Sequence, residues 1–309
     1  MGRIDEAYRR LNLDVRRGTG APASDGDGSP WQPDSLGGGD GRQAAMPAQP
    51  SQTAPAPALR WKQQGHEGSE RRDRWARLDV EATRRLVVSD QAPPLLIEQY
   101  RSLAATLLAA PGERPPRSLI VTSASPGDGK SHVAVNLALT LARSYGRQVL
   151  LIDADLRRPV LNRMVGAPNS RGLAEALEAE ADERLATVPI EEGLTLLPAG
   201  RPTPNHIAGL ASERMKRIVD EATARFDWVI VDTPPVGILA DGRLVADMVD
   251  GVLLVVRAGE TPFPDLEAAV DVIGRERILG MVLNAVDPAE IRGREYYHRY
   301  YHGHEARKG

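Results

Sequence analysis

Cysteine is absent from all 309 residues. That excludes a disulfide framework, an iron–sulfur cluster and a thiolate zinc site, and it suits a reducing compartment. Aromatic residues are scarce, at 4% of the chain with only two Phe. Neither sign of charge dominates: the formal net charge is −3, which gives no global reason to expect a nucleic-acid partner. No apolar run approaches the roughly 20 residues that a membrane-crossing helix needs. The opening Met1-Gly2-Arg3-Ile4-Asp5-Glu6 carries acidic residues and no apolar stretch, so it does not read as a secretory signal. Any membrane role is therefore expected to come through a partner, without a span of the chain's own.

What is present falls into four segments. Residues 1–15 have Ile4, Tyr8 and Leu11 near one face of a short amphipathic helix. From 16 to 90 the chain is expected to be a disordered or partly ordered linker. Its first part is rich in Gly, Pro, Ser, Asp and Gln and cannot bury enough apolar area to offset chain entropy. Its last part, 59–90, holds Trp61 and Trp75, which leaves room for some order. A compact domain is expected over 91–290. There, Leu95 to Ala110 reads as a helix ending at Pro111-Gly112, Ser118–Thr122 as a buried strand, and Ser131 to about Ser144 as a helix stopped by Gly146. Further strands are read at Gln148–Asp153, Leu194–Leu197, Trp228–Asp232, Val252–Arg257 and Gly280–Asn284, with helices at Ser212–Arg225 and Pro264–Ile273. Short, continuously apolar strands alternating with helices predict an α/β fold: a doubly wound, mostly parallel sheet flanked by helices. Residues 291–309 form a tyrosine-rich tail.

The chemistry begins at Ala124-Ser125-Pro126-Gly127-Asp128-Gly129-Lys130-Ser131. The usual phosphate loop is Gly, four residues, then Gly-Lys-Ser/Thr; here Ala124 stands at the first glycine. Glycines let successive amides turn inward on phosphate oxygens, and the helix that follows adds the positive end of its dipole. Lys130 supplies charge for the β- and γ-phosphates, and the Ser131 hydroxyl is a magnesium ligand. The residues expected on the nucleotide are Ser125, Pro126, Gly127, Asp128, Gly129, Lys130, Ser131 and His132.

Two acidic strand ends extend the site. Asp153 and Asp155 are two residues apart, which in extended backbone puts both on one side. Asp232 ends another apolar run, Trp228–Val231. Each alone reads equally as a capping aspartate before a turn. Together with the loop, at the carboxyl rim where such sheets bind ligands, they predict a Mg2+ cluster.

With these motifs in hand, the chain resembles the bacterial tyrosine kinases that regulate capsular and exopolysaccharide export. These are P-loop NTPases of the MinD/ParA-like superfamily, in their soluble autokinase form. The resemblance covers roughly 92–302 and rests on Ser123–Ser131, Asp153-Ala154-Asp155-Leu156-Arg157, Asp232-Thr233-Pro234-Pro235 and the tail. It implies ATP and Mg2+, with the metal on Ser131, Asp155 and Asp232, Lys130 and Arg157 stabilising the transferring phosphoryl group and Asp153 accepting the tyrosine proton. The acceptors it implies are Tyr296, Tyr297, Tyr300 and Tyr301, four of the seven tyrosines in the chain, phosphorylated in a neighbouring subunit. It also implies a membrane chain-length (co-polymerase) partner as activator and a cytoplasmic location peripheral to the inner membrane. Family members assemble through Glu-x-x-Arg-x-x-Arg. Glu98 and Arg101 keep the first two positions, while Ala104 replaces the last arginine, so the ring assembly is in question. An Asn at the end of the last strand, here Asn284, meets the adenine in related proteins.

Two other readings compete. A partitioning or cell-division-site ATPase switch needs a second lysine at the position of Ser125, and an iron–sulfur carrier needs cysteine. A scaffold that binds nucleotide without kinase activity would carry the same site and stays open.

Overall fold

The computed structural model describes residues 59, 61–63, 85–88, 92–110, 115–179, 185–202, 206–237 and 241–287. The expected N-terminal helix and the tyrosine cluster lie outside the described residues. The strands are β1 (Trp61–Gln63), β2 (Ser118–Ser123), β3 (Val149–Asp153), β4 (Leu185–Glu191), β5 (Leu194–Leu197), β6 (Trp228–Asp232), β7 (Gly251–Arg257) and β8 (Ile278–Asn284). The helices are α1 (Pro94–Leu108), α2 (Lys130–Tyr145), α3 (Leu161–Met164), α4 (Leu173–Glu178), α5 (His206–Leu210), α6 (Glu213–Arg225), α7 (Asp241–Ala246) and α8 (Phe263–Ile273). Among the described residues no helix is long and apolar enough to cross a membrane.

The strands form one sheet in the order β1-β4-β5-β3-β6-β2-β7-β8. Neighbours pair in parallel except β4 with β5, a tight antiparallel pair turned by Glu192-Gly193. Strands buried on both faces need no alternation, and β2, β3 and β6 are buried at every residue. Successive side chains feed opposite layers. Leu119 and Val121 pack with Leu151, Ile230 and Leu253 beneath α1 and α2. Ile120 packs with Leu150, Ile152, Val229 and Val231 beneath α4, α6 and α8. At the far edge β8 alternates, turning Leu279, Met281 and Leu283 toward solvent.

Helix α2 carries the loop and is buried at Ser131 and from Val133 through Ala142. Truncating one of its wholly buried leucines, such as Leu137, would cost about 2–5 kcal/mol. Gly146, at φ 61°, closes the helix: its N–H reaches Ala142 O at 3.1 Å and the Arg147 N–H reaches Leu141 O at 3.1 Å.

Two described stretches from the expected linker are docked on this domain. Leu59 donates its N–H to both oxygens of Glu221 at 2.9 Å, and Trp61–Gln63 adds β1 beside β4. There Trp61 packs on Phe226, with Arg225 over its ring. The second stretch, 85–88, buries Leu86 fully under α1 and α2. Asn136 holds it from both sides, accepting from Val87 N at 2.9 Å and donating to Arg85 O at 2.8 Å.

Candidate active site

Strand β2 ends at Ser123, and the chain turns through Ala124–Gly129 into α2. Gly127 and Gly129 both sit at φ 92°, a conformation side chains rarely adopt. A Cβ on Gly129 would collide with the Asn284 amide. The loop's shape is held by Asp128, whose side chain is buried. Its Oδ2 accepts from Ser125 N at 2.9 Å, and its Oδ1 accepts from the Thr261 hydroxyl at 2.8 Å. From the β7 and β8 ends, Arg257 donates to Gly127 O at 3.1 Å and Asn284 to Asp128 O at 2.7 Å. Ser125 donates to Asp265 Oδ2 at 3.2 Å. Pro126 and Gly127 are exposed. The first-turn amides of Lys130, Ser131 and His132 precede the first intrahelical bond, Val133 N to Gly129 O at 3.0 Å, and so face the loop as donors for anions.

The three aspartates converge behind the loop. Asp153 and Asp232 are register partners in β3 and β6. Ser131 Oγ donates to Asp232 Oδ2 at 2.6 Å. Lys130 Nζ lies 3.0 Å from Asp155 Oδ2, 3.6 Å from Asp232 Oδ1 and 3.3 Å from Ser131 Oγ. Asp153 accepts from Asp155 N at 3.2 Å and from Leu161 N at 3.1 Å. Arg157 is exposed just beyond β3.

Burial and crowding set the charges. Burial first, then Asp232, pushes the Asp153 carboxyl up to about 8. Burial raises Asp232 to about 6, although Lys130 and Ser131 pull it down. Burial alone would lower Lys130, but Asp232 and Asp155 outweigh it and hold the ammonium above its ordinary value. His132 is lowered, by burial and then by Arg85.

These residues fit Mg2+. The donors Ser131 Oγ, Asp155 and Asp232 are all hard oxygens. Asp232 Oδ1 and Thr233 Oγ1 are buried with no hydrogen-bond donor, an arrangement that a coordinated cation and its waters satisfy. No cluster of three His, Cys, Asp or Glu able to hold a metal gathers among the described residues. Mg2+ usually takes one or two carboxylates and completes its shell with phosphate and water.

The remaining expected residues lie on α1. Glu98 and Arg101 are bonded to each other at 2.6 Å along the helix, and Ala104 is fully buried against α2. Asn284 reaches the site, but its amide is spent on the loop carbonyl of Asp128. Sequence reasoning missed Thr261, Arg257 and Asp265 as supports of the loop. They lie 130 to 140 positions away, and nothing local marks them.

A family model described as ParA, an NUBPL iron-transfer P-loop NTPase, matches residues 116–286. The chain is 34% identical to the tyrosine-protein kinase YwqD of Bacillus subtilis over 65% of this chain and 86% of that protein. It is 34% identical to the succinoglycan biosynthesis transport protein ExoP of Rhizobium meliloti, over 76% of this chain and 32% of that one. Among solved structures, the kinase domain of the Escherichia coli tyrosine kinase ETK superposes with a TM-score of 0.61 at 29% identity, covering 74% of this chain and 89% of that one.

Proposed function

Because the chain belongs to the bacterial tyrosine-kinase family, built on a ParA-type P-loop NTPase domain, and is a protein-tyrosine kinase, we propose that its own C-terminal tyrosines are the acceptors. The relatives named for tyrosine kinase and for succinoglycan biosynthesis transport support a general role in exopolysaccharide biosynthesis. In our reading, Tyr296, Tyr297, Tyr300 and Tyr301 are phosphorylated in a neighbouring subunit, and this charge switch regulates polysaccharide polymerisation and export.

The observation that carries the reading is Lys130 held between Asp155 and Asp232, with Ser131 bonded to Asp232. ATP is the substrate. The loop amides and Lys130 bind its phosphates, and Lys130 leaves its carboxylates to do so. Mg2+ on Ser131, Asp155 and Asp232 would neutralise charge on the transferring group. The tyrosine oxygen attacks the γ-phosphorus, the bond to the β-bridging oxygen breaks, and ADP leaves. Asp153 takes the tyrosine proton. Each of its oxygens accepts one amide, so a further lone pair remains on each; once ionised, the form that bound Mg2+ would favour, its raised basicity favours proton uptake. Lys130 and Arg157 balance charge on the phosphoryl oxygens. Each added phosphate brings about −1.5 to −2 charges, and several together repel.

Activation is assigned to the cytoplasmic segment of a membrane chain-length protein, which holds this kinase at the inner membrane from the cytoplasmic side. Glu98 and Arg101 contribute to assembly only if their mutual pair opens.

The test is to incubate the purified chain with Mg-ATP, with and without that segment, and to map phosphotyrosine by mass spectrometry. Phosphate within 296–301, absent from Lys130→Met, supports the proposal. A tail that stays bare under both conditions overturns it and favours the scaffold reading.

A further inference from the structure

The 85–88 stretch does more than cover α2. Asn136 fixes Arg85 by its carbonyl, and His132 lies four residues before Asn136, one helical turn (about 5.4 Å) nearer the phosphate loop. The direction of the stretch is set by its other end. Val87 lines a groove with Leu139 and Thr140, farther down α2, so the stretch runs from the start of the helix toward its end. Leu86, wholly buried between these points, locks the register. Arg85 is therefore the residue nearest the start of α2. It is exposed, and among the described residues its guanidinium pairs with no carboxylate.

An arginine side chain spans a helical turn. Lys130, Ser131, Asp155 and Asp232 mark the β- and γ-phosphate end of the site. His132 follows Ser131 in the first turn of α2, where the free backbone amides serve the α-phosphate end of a P-loop site.

We propose that Arg85 is a further nucleotide-binding residue, delivered by the Asn136 clamp to the α-phosphate side of the P-loop helix. The proposal rests on the P-loop being the nucleotide site. A guanidinium there adds a charge-assisted contact from a residue in the segment expected to be a linker. Nucleotide occupancy and docking of that segment thereby strengthen each other.

Calorimetric titration of the full chain with ADP and with ATP, each with Mg2+, tests this. Arg85→Ala is expected to weaken both nucleotides by the same factor, roughly tenfold, and Arg85→Lys to restore part of the loss. Asn136→Ala, checked for folding by its melting curve, is expected to give a similar loss that Arg85→Ala does not deepen. Lys130→Met serves as the reference for the site itself. Unchanged affinity in Arg85→Ala beside a clear loss in Lys130→Met overturns the inference and leaves the P-loop reading intact. A loss in Arg85→Ala confined to ATP overturns the α-phosphate placement. Full affinity in Lys130→Met overturns the reading beneath both.

Discussion

Asp153 and Asp232 stand directly opposite each other in the β3–β6 ladder, both wholly buried, with Lys130 close to only one of them. Two carboxyls so placed do not ionise together cheaply. Both are raised, Asp153 to about 8 and Asp232 to about 6, so the folded protein keeps protons that the unfolded chain releases above about pH 4. Stability contributed by these protons is present at low pH and is lost as pH rises through 6 and 8. In metal-free buffer the protein is expected to melt at a lower temperature at pH 8 than at pH 5. Asp153→Asn should raise the pH 8 value by several degrees and the pH 5 value by clearly less, because the penalty has only begun at pH 5. Equal gains at both pH values would contradict the raised carboxyl.

Lys130→Met removes the ammonium 3.0 Å from Asp155 and 3.6 Å from Asp232. Breaking a buried pair from one side is costly, but these carboxyls can take up protons instead. The expected penalty is about 1–3 kcal/mol, larger at pH 8 than at pH 5. Phosphoryl transfer should fall by at least about a hundredfold. Denaturant titration at two pH values and a single-turnover assay read the two effects separately.

Gly127 and Gly129 share one backbone angle and differ in their surroundings. A Cβ on Gly127 meets nothing within 4 Å, whereas on Gly129 it meets Asn284. Gly127→Ala is expected to cost about 1–3 kcal/mol of backbone strain and nothing more. Gly129→Ala should cost more and displace Asn284, with nucleotide affinity falling alongside. Similar melting curves and similar ADP affinities for the two variants would refute this ranking.

Thr261→Val keeps the shape of the side chain and deletes the hydroxyl that bonds Asp128 at 2.8 Å. The loop then loses one support while the chemistry stays intact. A drop of about 1 kcal/mol in stability and a several-fold rise in KM for ATP are expected, with kcat changed less. Steady-state kinetics distinguishes this from a catalytic role, which would lower kcat first.

The centre of the fold is legible because its signals are local. Ser118–Thr122 and Trp228–Asp232 are apolar runs of strand length, and Gly146 stops α2 where its left-handed angle requires glycine. The read elements differ from the observed ones by only a residue or two at most ends. Strand β4 was not read, since Thr187 and Pro189 interrupt its apolar pattern and its pairing with β5 is antiparallel. Helices α3 and α4, of four and six residues, are too short to display a helical period. Strand β1 holds three residues, and its anchor is the distant Glu221. At the site, the carboxylates were visible as strand ends, whereas Thr261 and Arg257 act across long loops that only the folded chain brings together.

The chain enters this sheet at one edge, through β1, and its last described strand, β8, forms the other edge. Seven strand spacings separate them, about 34 Å across the sheet. Tension between something gripping the chain before β1 and something gripping it after β8 would run crosswise to the strands. Loaded that way, a ladder opens like a zipper, one bond after another, rather than by shearing all its bonds at once. The three-residue pairing of β1 with β4 would yield first, leaving the phosphate loop and its aspartates, in the middle of the sheet, mechanically sheltered.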